Sequence, residues 1–371
     1  AAALIVRSFV TLTHVPLGFS AEHVYFVEAP ELLASRYKGP RSEEQVDRAL
    51  QGAMRSIPGM RTTSCATTVP FTPPWTTSFN VVSQPQKHVV AVKIVCDGYF
   101  ALLQVPFLAG RNFGAEDSMG SPAVVLVNRA FATRYGGSPA NVIGKRIVPG
   151  IGLGDGQPPP RTIVGVVGDT RDDLSTPPVP TVYAPQSQFD FKLIQYYVIG
   201  TGGADAGLAQ AIANAYHDTD PFFASPVVVP LSDNIAASAA SARLATSVFL
   251  AFSVIALVLA LAGIYSVTAF SVAQRTREFG IRKAIGATST AVLRIVVQRA
   301  LRQATIGIVL GLVLSAFAVR FLTTILYATS PFDAVAIASA VAILLACTLV
   351  AAAVPAIAAM RIEPAETLRY E

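Results

Sequence analysis

The sequence predicts an α+β membrane protein. We expect a bundle of transmembrane helices, with three complete spans plus the end of a first, and a large extracytoplasmic domain of mixed α/β fold. Charged residues make up only 14% of the chain, whereas a soluble domain has about 25%, and the long charge-free stretches lie in the C-terminal third. The first two thirds instead show short apolar segments separated by turn residues, which is typical of an α/β domain.

A short apolar stub, residues 1–7, precedes the α/β region and ends in Arg7. Its six apolar residues cannot cross about 30 Å of hydrocarbon. The stub also lacks the charged start, long apolar core and cleavage site of a signal peptide. Two interpretations fit it: a buried N-terminus, or the end of a first transmembrane helix whose beginning is missing. We favour the second, because the domain that follows otherwise has no first anchor.

Residues 8–240 are predicted to form the extracytoplasmic domain, as two α/β halves with an inserted subdomain at about 98–160. The first half reads β-α-β-β, with Ser42 as a candidate N-cap of its helix, and the second half reads β-β-β-α-β. Asp97 is a candidate cap for a short helix that opens the insertion. The predicted strands cover 23–29, 62–69, 88–95, 123–127, 145–148, 162–167, 181–183, 195–200 and 226–229, and the predicted helices 42–57, 98–103, 128–135 and 204–216.

Three stretches of this domain have the composition of ligand sites, and we interpret all three as ordinary structure. The Gly/Pro-rich stretch 149–160 has prolines where a nucleotide-binding helix would begin, and the GKR stretch at 144–146 lacks the spacing of a P-loop. The aspartates of GDTRDD at 168–173 lack the ligand spacing of a calcium loop, so a solvated turn is favoured over a divalent-cation site. No catalytic or metal-ligating constellation stands out, and we predict neither an enzyme nor a metal site.

Cys65 and Cys96 both lie in the predicted extracytoplasmic domain. An oxidising compartment permits a disulfide there, but their sequence spacing does not show whether the two Cα atoms come within bridging distance. A disulfide and two separate thiols both remain open, with separate thiols favoured. Cys347 lies in an apolar run and is expected to pack within the membrane.

Three charge-poor stretches predict the complete transmembrane helices of a permease-like domain at 241–371. These stretches are about 244–272, 304–326 and 334–360. Within the second, Gly307, Gly311 and Ser315 recur every four residues, a pattern that lets another helix approach closely. Gly263 is expected to play the same packing role in the first.

The positive charge of the chain is concentrated beside these spans. The loop 274–303 carries seven Lys and Arg against one Glu, whereas residues 8–240 carry 16 Lys and Arg against 18 Asp and Glu. A basic loop between spans belongs on the cytoplasmic side, so the domain 8–240 is predicted to lie outside. The same distribution argues against nucleic acid as a partner, because that needs a basic patch on a soluble face.

The loop 274–303 is predicted to contain a short helix lying across the membrane face. Thr276 can cap this helix, which runs to Ile285. Glu278 precedes Arg282 by four residues, which is the favourable order for an ion pair on a helix. The pattern therefore predicts a compact, partly apolar helix within the basic loop.

The end of this short helix is predicted from a glycine and two capping residues. Gly286 is a natural C-terminal stop, and Thr288 or Ser289 can cap the next helix, which continues into the second span. A plain basic loop that only sets topology is the alternative. The caps and the glycine break favour a short lever hinged to a transmembrane helix.

Several motifs resemble one known family. VAQRTREFGIRKAIGA (272–287) is similar to the signature of FtsX-like ABC transporter permeases of the MacB type, and the tail RIEPAETLRYE (361–371) is similar to their C-terminal end. DGYFALLQVPFLAGRNF (97–113), VVLVNRAFATRYGG (124–137), IGKRI (143–147) and TIVGVVGDTRDD (162–173) resemble the MacB-like periplasmic core domain. The resemblance covers nearly the whole chain and is closest to the duplicated orphan permeases, of which this chain would be a C-terminal unit. Cys96-Asp97 replaces the Pro or Ser that the family places before the Gly-Tyr-Phe motif.

This resemblance implies a multi-pass protein of the bacterial cytoplasmic membrane, with four spans and a porter-like periplasmic domain. It implies a partner ATPase subunit that binds the ATP, no cofactor in this chain, and a second permease unit as a homodimer or tandem half. Membrane lipid and a periplasmic protein are further possible partners. The implied function is export or extraction of an amphiphile, driven by cytoplasmic ATP hydrolysis. Mechanical regulation of a periplasmic partner, such as a cell-wall hydrolase, is the alternative.

The resemblance also assigns roles to residues of the short cytoplasmic helix. The helix would couple the ATPase to the permease, and the glycine-alanine pair after it would be the hinge. The coupling-helix and hinge residues carried over are Arg277, Glu278, Gly280, Ile281, Arg282, Gly286 and Ala287.

Overall fold

The computed structural model describes residues 12, 14–30, 40–81, 88–151, 158–189, 193–203, 206–285, 287–322 and 334–360. The chain divides into two compact units, of which one is Val15–Ala239 and the other contains the helices from Ala240 onward. The strands are β1 Val24–Glu28, β2 Met60–Ala66, β3 Trp75–Val81, β4 His88–Val95, β5 Phe107–Gly110, β6 Val124–Asn128, β7 Arg146–Pro149, β8 Arg161–Val167, β9 Thr181–Pro185, β10 Tyr196–Thr201 and β11 Val228–Pro230. The helices are α1 Pro40–Arg55, α2 Tyr99–Leu102, α3 Arg129–Gly136, α4 Leu208–Thr219, α5 Leu231–Gln274, α6 Thr276–Ala284, α7 Ser289–Leu322 and α8 Ala334–Met360.

Four strands of the unit Val15–Ala239 form an antiparallel sheet in the order β11-β1-β10-β2. With α1 following β1 and α4 following β10, the connectivity is the β-α-β-β-α-β pattern of ferredoxin-like folds. Side chains from this sheet, including Val27 and Tyr197, share a core with Leu50 of α1 and Ile212 of α4. This arrangement confirms the predicted mixed α/β fold.

Two buried tyrosines link the helices to this sheet through hydrogen bonds of their hydroxyl groups. The Tyr197 hydroxyl donates to the Asp47 carboxylate on α1, and the Tyr216 hydroxyl on α4 donates to the Glu28 carbonyl at 2.7 Å. Burial raises the pKa of both phenols, and the nearby Asp47 carboxylate adds to the shift. Both side chains therefore stay protonated and act as hydrogen-bond donors at neutral pH.

The segment between β2 and β10 forms a closed barrel of six strands. The pairings run β4-β3-β7-β8-β6-β9 and return from β9 to β4. The interior includes Phe79, Val125, Ile163 and Val182, and it also receives Phe131 from α3. This segment, 67–195, contains the insertion predicted at 98–160 and extends beyond it on both sides.

A shared hydrophobic core, a strand pair and a disulfide join the barrel to the ferredoxin-like sheet. Ala66 of β2 pairs with Val95 of β4, so the antiparallel register brings Cys65 opposite Cys96. The Cys96 amide donates to the Cys65 carbonyl at 2.9 Å, and the two side chains form a disulfide with a Cα–Cα distance of 5.0 Å. The favoured expectation of separate thiols is therefore wrong, because it required a register that the sequence does not reveal.

Each aspartate of the GDTRDD motif has a partner within the protein. Asp169 accepts from the Ala130 amide at 2.7 Å, and Asp173 accepts from the Ser175 amide and hydroxyl, both at 2.6 Å. The prediction of a solvated turn is wrong for Asp172, which forms an ion pair with Lys93 at 2.6 Å. The Asp172 side chain is 8% exposed and the Lys93 side chain 1%. Among the described residues, no group of three potential metal ligands is present.

Several local predictions differ from the structure. Asp97 does not cap α2, which begins after Gly98 at a φ of 82° without a side-chain cap hydrogen bond. That left-handed backbone suits glycine. The strands β3 and β5 were not predicted, because Trp75–Val81 contains three consecutive polar residues, which breaks the alternation of a half-buried strand, and Phe107–Gly110 has only four residues. Ser42 is not the N-cap of α1, because the helix begins at Pro40 and Ser42 lies inside it. Residues 152–157 of the Gly/Pro-rich stretch lie outside the described part.

Within the part of the chain that the structure describes, three helices of the other unit are long and apolar enough to cross a membrane. The stretches that meet these criteria are Ala242–Gln274 in α5, Thr290–Ser315 in α7 and Ile337–Ile357 in α8, and each overlaps one predicted span. Helix α7 packs against α8. The predicted end of a first helix at 1–7, the external loop before α8 and the tail 361–371 lie outside the described residues.

The disulfide predicts a measurable loss of stability on its removal. We expect Cys65→Ser with Cys96→Ser to lower the free energy of unfolding by about 2–4 kcal/mol, because the unfolded chain regains the entropy of a loop whose ends are 31 residues apart. Thermal unfolding of the full chain in detergent measures this loss. Cys347→Ser, which removes a thiol outside the bridge, serves as the control. Equal melting temperatures for the double variant and the control would contradict the structural role.

A second prediction concerns the ion pair that holds the segment after β5. Arg111 donates to both oxygens of Asp117, at 2.6 and 2.8 Å, and the Gly114 amide donates to the same carboxylate at 2.9 Å. The hydrogen bonds from Arg111 lower the pKa of Asp117, although burial opposes the shift. Because the folded-state pKa is depressed, the stabilisation is complete above the unfolded pKa, near 4, and is lost as the pH falls through the folded value.

We therefore expect Asp117→Asn to destabilise the protein by about 1–2 kcal/mol at pH 7. The difference from the unmodified protein should shrink as the pH falls from about 4 through the lower folded-state pKa, below which the carboxyl is protonated in both states. Thermal unfolding at pH 7 and at the lowest pH that preserves the fold compares the two. Glu116→Gln is the control, since Glu116 is 65% exposed and lies farther from Arg111, at 3.3 Å. A pH-independent difference would count against the ion pair.

Candidate functional site

The candidate site begins at the tight turn between α5 and α6. The Arg275 amide donates to the Val272 carbonyl at 3.1 Å, and the Phe279 amide donates to the Arg275 carbonyl at 3.0 Å. The Thr276 hydroxyl donates to the carbonyls of Val272 and Ala273, at 3.2 and 2.9 Å. The predicted capping of α6 by Thr276 is therefore wrong: the turn is so short that its hydroxyl reaches the free carbonyls at the end of α5 instead.

A buried aromatic ring holds α6 in place. Phe279 is 3% exposed and packs in a cluster with Val272 of α5, Val292 and Val296 of α7, and Ala356 of α8. Gly280 is buried beside it. One face of α6 is therefore fixed by contacts with all three long helices.

The opposite face of α6 presents arginine and isoleucine side chains. Arg277 and Arg282 are exposed, and Ile281 and Ile285 are exposed by 41% and 82%. Glu278 forms the predicted ion pair with Arg282, at 2.6 Å. We call Arg277, Ile281, Arg282 and Ile285 the outer face of α6. It is basic at its sides and apolar between them.

The connection from α6 to α7 has a well-defined hydrogen-bond pattern. The Ala287 amide donates to the Arg282 carbonyl at 2.9 Å, the type of bond that closes a helix C-terminus. The Ala291 amide contacts the Thr288 hydroxyl at 3.3 Å, so Thr288 caps α7 as predicted. The predicted hinge residue Gly286 lies outside the described residues.

The predicted packing residues lie on open faces of the long helices. Gly263, Gly307 and Gly311 are exposed, and a methyl group added at each would meet no described atom within 4 Å. Ser315 is half-buried. Close packing of another helix at these positions stays a prediction.

Two family models match the chain. The MacB-like periplasmic core domain matches residues 11–246, and the C-terminal domain of FtsX-like permeases matches residues 250–364. Together they define the class of protein, which is the permease component of an ABC transporter. The chain belongs to the family of FtsX-like permeases with a MacB-like periplasmic core domain, which confirms the resemblance found in its motifs.

Curated relatives fit this assignment. The uncharacterised ABC transporter permease YvrN of Bacillus subtilis is 33% identical over 111 residues, 29% of this chain and 27% of that protein. The macrolide export ATP-binding/permease protein MacB of Photorhabdus laumondii is 24% identical over 75% of this chain and 43% of its own length. The probable syringafactin export ATP-binding/permease protein SyfD of Pseudomonas syringae is 25% identical over 74% of this chain and 41% of its own length. The chain thus spans less than half the length of these relatives.

Solved structures of similar proteins align with somewhat more than half of this chain. The periplasmic region of MacB from Actinobacillus actinomycetemcomitans aligns with 61% of this chain and 96% of its own, at 12% identity and a TM-score of 0.41. The extracellular domain of the noncanonic ABC-type transporter YknZ from Gram-positive bacteria aligns with 56% of this chain and 98% of its own, at 13% identity and a TM-score of 0.39. Family membership rests on the family models.

The anchoring role of Phe279 gives a prediction for α6. We expect Phe279→Ala to lower stability by about 3–5 kcal/mol, because it removes a large buried side chain. It should also speed tryptic cleavage after Arg277 and Arg282, since α6 loses its main contact. Ile285→Ala is the matched control and should change stability by less than about 0.5 kcal/mol, because the side chain is 82% exposed. Similar digestion of the two variants would show that Phe279 does not hold the helix.

Proposed function

We propose that this chain is the permease subunit of a MacB-type ABC transporter that works with a separate ATPase. ATP hydrolysis in the cytoplasm moves the periplasmic core domain and drives export or extraction of an amphiphilic substrate. The orientation is that of a multi-pass protein of the bacterial inner membrane, with residues 8–240 outside. The observation that carries the proposal is the two-sided construction of α6, with one face anchored and the other exposed.

The outer face of α6 suits docking into a groove of a partner protein. Ile281 and Ile285 lie four residues apart, the spacing with which an amphipathic helix inserts apolar side chains into a groove. Arg277 and Arg282 flank them and favour an acidic rim on the partner. We assign these four residues to contact with the ATPase, and Glu278 to holding Arg282 in position.

The buried face of α6 transmits force from the docking surface to the long helices. Because Phe279 contacts α5, α7 and α8 in one cluster, a push on α6 is passed to all three. Helix α5 in turn begins at Leu231, which is buried in the core of the periplasmic unit. We therefore propose α5 as the covalent connection between the coupling helix and the periplasmic domain.

Two further assignments complete the proposal. Gly286 and Ala287 are the hinge that lets α6 tilt against α7, and the Ala287–Arg282 hydrogen bond is the contact that tilting would stretch. The open glycine faces at Gly263, Gly307 and Gly311 receive a helix of a second permease unit, since small residues allow close approach. Two relatives are named as exporters, which favours transport over the alternative of regulating a periplasmic partner.

Charge reversal on the outer face tests the proposed coupling. We expect Arg277→Glu to reduce permease-stimulated ATP hydrolysis in proteoliposomes at least tenfold, because it places like charges at the acidic rim. Arg282→Glu should act similarly but also breaks the pair with Glu278, so Arg277→Glu is the cleaner variant. The control is Arg302→Glu, the same change at an exposed position of α7.

Membrane insertion and melting temperature should be unchanged in Arg277→Glu, because its side chain is exposed. Equal stimulation of ATP hydrolysis by Arg277→Glu and Arg302→Glu would refute the docking role of this face.

A further inference from the structure

A small cavity lies between α5, α6 and α7. Its volume is about 30 Å³, close to the space of one water molecule and enough for one oxygen of a larger group. It is partly open, and its lining is apolar except for the polar and charged side chains on α5, the α5–α6 turn and α7. These are Thr268, Ser271, Arg275, Arg299 and Gln303.

Thr268 is the unusual member of this lining. It is 5% exposed, and its hydroxyl is buried without a hydrogen-bond partner among the described residues. Other helical threonines here donate to the carbonyl four residues earlier, as Thr246, Thr305 and Thr348 do at 2.7–2.9 Å. Because a buried hydroxyl without a partner is costly, the Thr268 hydroxyl is suited to bind a ligand atom that enters the cavity.

Two arginine side chains, those of Arg275 and Arg299, line the same cavity. Arg275 contacts Glu278 only at 3.8 Å, while Glu278 pairs closely with Arg282 at 2.6 Å. No described carboxylate lies within ion-pair distance of Arg299. Two arginines that are not held by close ion pairs, together with a buried hydroxyl donor, match the oxygens of a phosphate group.

We propose that this cavity binds the phosphate of an anionic membrane phospholipid. Exposed apolar side chains of α5 and α7, such as Phe270 and Ile306, offer a surface for the acyl chains, which a free phosphate ion would leave unused. Basic pockets between helices at the cytoplasmic membrane surface commonly bind anionic headgroups. The proposal rests on the orientation given above, but it does not require coupling to an ATPase. The bound lipid would brace the turn that carries α6.

Lipid binding to the purified full-length chain tests the proposal without an ATPase. The probe is phosphatidylglycerol, titrated into detergent and measured by native mass spectrometry, with phosphatidylcholine and inorganic phosphate in parallel. Arg275→Gln with Arg299→Gln should weaken phosphatidylglycerol binding at least tenfold. The matched control, Arg294→Gln with Arg302→Gln, removes two exposed arginines of α7 that do not line the cavity and should change binding less than twofold.

Thr268→Val keeps the shape of the side chain, so it separates a loss of lipid binding from a loss of folding. It should weaken phosphatidylglycerol binding at least threefold without lowering the melting temperature. Equal losses in the two arginine pairs would overturn the proposal in favour of general attraction to basic loops. Full displacement of the lipid by millimolar inorganic phosphate would overturn the lipid assignment in favour of a free anion. Failure of either kind leaves the ATPase-coupling proposal untouched, because no ATPase is present.

Discussion

The burial of the Phe279 ring is the interaction on which the position of helix α6 depends. Helix α6 has only nine residues, and an isolated helix of that length is not stable in water. Its position is set instead by the buried cluster that Phe279 shares with Val272, Val296 and Ala356, one from each long helix. Because these contacts use one face of α6 completely, the outer face is free for a partner. The anchored face and the exposed face thus belong to one short helix.

In the unit Val15–Ala239, the arrangement depends on how the ferredoxin-like sheet and the barrel are joined. The ferredoxin-like sheet and the six-stranded barrel each have a core of their own, and a third core, which includes Phe26 of β1 and Tyr183 of β9, is shared between them. The Ala66–Val95 pair and the Cys65–Cys96 disulfide add a direct link between their strands. A displacement of the sheet is therefore carried to the barrel through a covalent bridge. In the proposed mechanism this keeps the two layers together while α5, which begins in the periplasmic core, moves with the cytoplasmic helices.

Local features were predictable from the sequence, whereas features made by distant segments were not. The strand His88–Val95, the Thr288 cap and the Glu278–Arg282 pair depend on neighbours within a few residues, and all three are observed. The closed barrel and the disulfide depend on strand register, which many pairings of Val- and Thr-rich strands would satisfy. Thr276 was misassigned because its partner depends on the length of the turn before it. The Thr268 cavity requires α5, α6 and α7 to be placed together.

Site-specific photo-crosslinking along α6 in native membranes tests the central claim that this helix is the docking element. Crosslinkers at Arg277, Ile281 and Ile285 should capture an ABC ATPase, identified by its P-loop sequence, and the yield should change with bound nucleotide. A crosslinker at the buried Phe279 should capture no ATPase. If the outer positions yield only lipid adducts, or if the buried and outer positions capture the ATPase equally, α6 is not the surface through which force enters.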